Sequence, residues 1–197
     1  MPLGANKAAI MGVAGVSTAD VVLLATTTIS ADANVAFTSE LTSAYNEYIF
    51  GFIDIHGATD DADFTFNGSD DTSSHSYDVI KTTTVWGSNM AENTGTPAVG
   101  YTASSDLAQG TGYHEIFPGT DNDNDSNING YLHIFNPAGT TYVTHFYSDF
   151  HGVHNGYTAK RWVTAGYFNI TGAITAVDFK QSSGNLDTGT IKVWGVK

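Results

Sequence analysis

The chain reads as an all-β protein, a jelly-roll-like antiparallel β-sandwich with an extended N-terminal arm, and three observations predict this. The composition is that of strands and turns: 21 Gly, 11 Phe, 10 Tyr and only 14% charged residues, with no long window rich in Ala, Glu, Lys and Leu. Apolar and polar residues alternate in run after run, separated by turn residues, which is the period-2 signature of half-buried strands. No helical stretch alternates with these runs, which argues against a parallel α/β sheet, and no short internal repeat supports a propeller or β-helix. With 41% hydrophobic residues in 197 positions, the chain can fill one core.

Residues 1–18 are small and glycine-rich, with Gly4, Gly12 and Gly15 among Ala and Val. Such a segment has little to pack on its own domain, so it is expected to be an arm lying on a neighbouring subunit. Residues 19–197 then form one sandwich domain. The run 8–16 is weakly apolar behind the single charge of Lys7, too weak for a signal peptide. No run approaches the ~18 apolar residues of a membrane span.

The first strand is expected at 21–28, buried at its start. The strongest central strand is 45–56. There Ile49, Gly51, Ile53 and Ile55 alternate with Tyr48, Phe50, Phe52 and Asp54, and apolar residues on both faces predict a strand covered on both sides. A short strand at 64–66 runs into an exposed turn, Asn67-Gly68-Ser69-Asp70-Asp71. A Thr-rich strand follows at 77–86, then a long loop over 87–110 with a short strand near 99–102. Residues 113–117 form a brief strand that Pro118 ends.

Residues 131–136 and 141–147 make a hairpin around Pro137-Ala138-Gly139. Residues 149–158, rich in His and Gly, read as a loop before a strand at 161–170. The last 25 residues close the sandwich as a hairpin. In them Val177 and Phe179 share one face of the first strand, Ile191 and Val193 one face of the second, and Ser182-Ser183-Gly184-Asn185 turn between them. A two-stranded ribbon alone is marginal in water, so that apolar face must be buried.

Charge and cysteine content exclude several classes. Twenty acidic against seven basic residues give a net charge of -13, and only Lys160 and Arg161 are adjacent among the cations. Phosphate binding needs clustered Lys and Arg, so neither nucleic acid nor an anionic membrane suits this surface. With no cysteine, neither disulfides nor thiolate metal sites are available, and stability must come from the core or from oligomerisation.

Candidate sites are few. Asp121, Asp123 and Asp125 occupy positions 1, 3 and 5 of a calcium-type loop, where a hard cation wants dense oxygen. Yet Ser126 stands in the glycine slot and Leu132 where a bidentate Glu should close the cage, so a solvated loop competes with Ca2+. His151 and His154, with His145 and Asp149 nearby, resemble half of a metal site without a matching closed pattern. Glu40, Glu47, Glu92 and Glu115 show no spacing that singles out a catalytic pair, and Gly-x-Ser-x-Gly is absent. The sequence offers no catalytic residue, and the chain is read as no enzyme. Tyr142, Tyr147, Tyr157 and Trp162 lie close in sequence to the histidines; they read either as a glycan-binding cluster or as core and subunit interface.

The closing segment, AITAVDFKQSSGNLDTGTIKVWGVK, resembles the C-terminal ending of virion structural proteins of tailed, marine-type bacteriophages. The stretch from Phe37 through Tyr45-Asn46-Glu47-Tyr48 to Ile55 is similar to their first core strand, and Lys81-Thr82-Thr83-Thr84-Val85-Trp86 also fits. The resemblance implies a jelly-roll-like module on the exterior of a virion, assembled as a homo-oligomer, a trimer above all, with other virion proteins as partners. It carries no catalytic residues. It implies a tail- or fibre-associated component whose loops 57–76, 87–110 and 118–130 face outward. A capsid decoration protein is the rival within that class, and a carbohydrate-binding module contacting host-surface glycan is the alternative outside it.

Overall fold

Every strand pairing is antiparallel, and the order of pairing is nested. The computed structural model describes residues 20–93, 95 and 97–197, so the expected arm lies outside the described residues. Its strands are β1 (Val21–Asp32), β2 (Val35–Phe37), β3 (Glu47–Gly57), β4 (Ala62–Ser69), β5 (Lys81–Ala91), β6 (Ala98–Tyr101), β7 (His114–Thr120), β8 (Ile128–Phe135), β9 (Thr144–His154), β10 (Thr158–Phe168), β11 (Ala176–Gln181) and β12 (Leu186–Val196). One 3-10 turn, Ala103–Ser105, follows β6. No helix among the described residues is long and apolar enough to cross a membrane.

β1, β2, β3 and β4 pair with β12, β11, β8 and β7 respectively, so the chain runs out and returns alongside itself. β12 also pairs with β3, and β11 with β4. The result is two four-strand sets, β1-β12-β3-β8 and β2-β11-β4-β7, which is the jelly-roll arrangement the sequence predicts. Two inserted hairpins, β5-β6 and β9-β10, enlarge the first layer to β1-β12-β3-β8-β9-β10-β5-β6. A single pairing, Thr120 with His154, links the layers at one corner.

The core lies between the layers and is built from phenylalanine. Phe179 of β11 meets Phe50 and Phe52 of β3 across the interlayer space, with ring centroids 5.5 and 5.0 Å apart. It also contacts Phe37, Phe64 and Phe66 within its own layer. Edge and tilted pairs of this kind stabilise beyond their area burial, by about 0.5–1.5 kcal/mol each. Tyr48 is fully buried; its hydroxyl donates to the Thr42 carbonyl at 2.8 Å and accepts the Thr42 N–H at 2.8 Å. That fixes the segment carrying the chain from β2 to β3.

The structure corrects four details of the sequence reading. The closing segment is not a hairpin: β11 and β12 lie in opposite layers, and Ser182–Asn185 arches between them. The predicted faces hold, since Val177, Phe179, Ile191 and Val193 are all fully buried, but they meet across the core rather than side by side. Asn67, Gly68 and Ser69 are not an exposed turn. They continue β4, pair with β11 and are buried.

Pro118 does not end its strand. It sits where the β4–β7 register slips between Phe64 and Ala62, a bulge that has no ladder bond for proline to break. Finally, residues 149–154 belong to β9 rather than to a loop, because both β8 and β10 offer partners along its length.

Candidate functional site

The outer face of the eight-stranded layer is the least explained surface of the molecule. Antiparallel sheets that face water are normally polar on that side. Here Leu23, Trp194, Ile49, His133 and Tyr147 stand in one cross-strand row. The next row runs through Gly51, Tyr131, Asp149, Val163, Trp86 and Tyr101. Among the described residues twelve large apolar side chains stand exposed. All but Tyr142 and Tyr157 lie on this face, including Trp86 at 45%, Tyr101 at 64% and Tyr131 at 54% exposure.

The rows are locally ordered. His133 stacks on Tyr147 with centroids 4.4 Å apart and planes 9° from parallel, and Phe135 extends the stack 6.0 Å from Tyr147. The Trp194 and Tyr131 rings close over Gly51, where an added Cβ would come within 2.6 Å of the indole. Two charged pairs lie on the face, and Lys192, cross-strand from Gly51, stands there outside both. His133 Nδ1 lies 2.6 Å from Glu47, and Arg161 holds Asp149 through Nε at 2.9 Å and Nη2 at 2.5 Å. Its exposed apolar rings suit this face to a protein contact.

Sequence periodicity carries half of this signal. Residues 45–56 are apolar on both faces and therefore predict a strand covered on both sides. The described residues cover only the inner side, leaving Ile53 40% exposed. Residues 131–135 (Tyr-Leu-His-Ile-Phe) show the same double pattern. The expectation that the first strand is buried at its start fails for a related reason. Val21 and Leu23 fall on the outer face before the register shift between Leu23 and Ala25 turns the strand over.

The sequence-predicted site residues do not converge. Asp121 is buried, whereas Asp123 and Asp125 are exposed. The Asp121 carboxylate accepts the Asp123 N–H at 2.9 Å, and His56 Nε2 lies 3.2 Å from the Asp123 carbonyl. Among the described residues no group of three or more His, Asp or Glu is placed to hold a metal ion. His145 and His151 share the outer side of β9 but stand six residues apart, roughly 20 Å along a strand. His154 binds the Asn155 carbonyl through Nδ1 at 2.7 Å. Tyr142 and Tyr157 lie beyond opposite ends of β9 and Trp162 is buried, so the aromatics clustered in sequence are dispersed in space.

One titratable pair escaped the sequence reading because only the pairing of β4 with β7 brings it together. Glu115 and Asp63 line a cleft of about 380 Å3 beside Lys180 and Tyr113. Burial, and then the Asp63 charge, pushes the Glu115 carboxyl up to about 7, and its Oε1 is buried without a partner. Nearby on β7, burial first and the Lys81 charge second push the His114 imidazole down to about 3. Among the described residues its side chain has one hydrogen-bond contact, Thr164 Oγ1 at 3.3 Å. Beyond this geometry there is no outside guide, for no protein-family model, curated protein or solved structure matches the chain.

Proposed function

We propose that the protein is a structural component of the exterior of a tailed-phage virion, associated with the tail or fibre, and that it works by being held between copies of itself. The observation that carries this reading is the aromatic outer face of the eight-stranded layer. The described residues of one chain leave uncovered an apolar surface that the sequence patterning of β3 and β8 treats as interior. A heterologous contact between copies, closed by three-fold rotation as a trimer, removes it from water. The resemblance of the closing segment to virion proteins supplies the particle, and the acidic, cysteine-free composition agrees with both.

A capsid decoration protein uses the same contact on the head shell. Mass spectrometry of purified particles separates the two, since a copy number matching the head lattice favours decoration and one matching tail symmetry favours the tail. Absence from particles overturns both. The flat His133–Tyr147–Phe135 stack favours one reading of another class, in which the face binds sugar rings. Binding to host-surface polysaccharide on a glycan array, lost in Tyr147→Ala, supports that reading, and a silent array rejects it.

A further inference from the structure

Lys81 presents a physical problem: among the described residues no carboxylate forms an ion pair with it, although the Asp78 charge acts on it. It opens β5, the strand that carries the chain from the smaller layer to the larger, and its side chain is fully buried. Lysine is almost never fully buried unless it is paired with an acid. The ion pairs among the described residues are His56–Asp187, His133–Glu47 and Arg161–Asp149, none of which involves Lys81. Its Nζ donates instead to Asn67 Oδ1 at 2.6 Å and to the Val79 carbonyl at 3.1 Å.

Asn67 is equally buried, and every atom of its amide is clamped. Nδ2 donates to the Tyr77 carbonyl and, at 2.9 Å, to the Thr111 carbonyl. Oδ1 also accepts the Gly68 N–H at 2.9 Å. A main-chain N–H on the carbonyl oxygen is the kind of donor that stabilises a tetrahedral oxyanion. Burial moves the Lys81 amine down to about 8, and desolvation of this kind is one way a lysine becomes a nucleophile.

The geometry points to an intramolecular amide bond between Lys81 Nζ and Asn67 Cγ. The neutral amine attacks Cγ, and the carbonyl π pair moves onto Oδ1 beside the Gly68 N–H. One proton passes from the attacking nitrogen to Nδ2, the Cγ–Nδ2 bond breaks, and ammonia leaves. The reaction is redox-neutral and needs no cofactor. The product removes the buried charge while keeping one N–H to donate to the Val79 carbonyl. It also ties β4 covalently to the first residue of β5, joining the two layers of a chain that has no disulfides. This inference does not depend on the virion reading.

Intact-mass spectrometry of the full-length folded protein, held at pH 8 and then denatured, tests it. The expected mass is lower than the sequence mass by one ammonia, with a branched peptide joining Lys81 to Asn67 in the digest. The full sequence mass overturns the proposal. Asn67-Gly68 can lose the same ammonia by forming a succinimide, so Lys81→Arg is the discriminating variant. A deficit that persists in Lys81→Arg assigns the loss to the succinimide and overturns the bond, whereas a deficit abolished there supports it. If that variant does not fold, the presence or absence of the branched peptide in the wild-type digest decides the question.

Discussion

Phe179 contacts five other phenylalanines from both layers, so its removal opens a cavity that neither sheet can close alone. Phe179→Ala is expected to cost ~3–5 kcal/mol of stability in urea or guanidinium denaturation, the range for large-to-small core changes. Two titratable residues of β7 give opposite pH signatures. Glu115 titrates at about 7 when folded against 4.5 when unfolded, so between those values the native state holds more protons and stability falls as pH rises. Glu115→Gln should therefore gain on wild type between pH 4.5 and 7, with the full gain present at pH 8. His114 titrates at about 3 when folded against 6.5 when unfolded, so the unfolded state takes up protons first and stability falls as pH drops through that window. His114→Gln should flatten the acid limb, and denaturation series at pH 4, 6 and 8 check both signs.

At the scale of the element, alternation was legible and partnership was not. The runs around Val177–Phe179 and Ile191–Val193 announce which side chains are buried, because period 2 reports burial of a face. It says nothing of which strand lies alongside, and a four-residue polar hinge serves a hairpin and an arch equally well. The turn chemistry of Asn67-Gly68-Ser69 was outweighed by long-range pairing with β11, which no local signal announces. In the acidic strip Asp121–Asp125, Asp121 is buried while Asp123 and Asp125 are exposed, a difference that density in sequence does not announce. The arch itself is testable. Gly184 has φ +72, and a Cβ there would clash with Thr59 Oγ1. Gly184→Ala should destabilise by at least about 1–2 kcal/mol, the cost of a left-handed conformation for an L-residue, as read by thermal or chemical denaturation.

For the whole molecule, the jelly-roll layers explain where the core is, and the two inserted hairpins explain why the larger layer projects beyond it. That enlarged layer carries the aromatic face, and its side chains account for most of the exposed large apolar residues among the described residues. The sequence held this information in strands apolar on both sides, but one chain's periodicity does not say whether the second cover is intramolecular. The most direct test is light scattering coupled to size-exclusion chromatography, on wild type and on Trp86→Glu/Tyr131→Glu. Wild type should elute at a multiple of 20.9 kDa, three copies for the proposed trimer, and the double variant as a folded single chain. A wild-type protein of 20.9 kDa at every concentration, with the face open to solvent, would contradict the account.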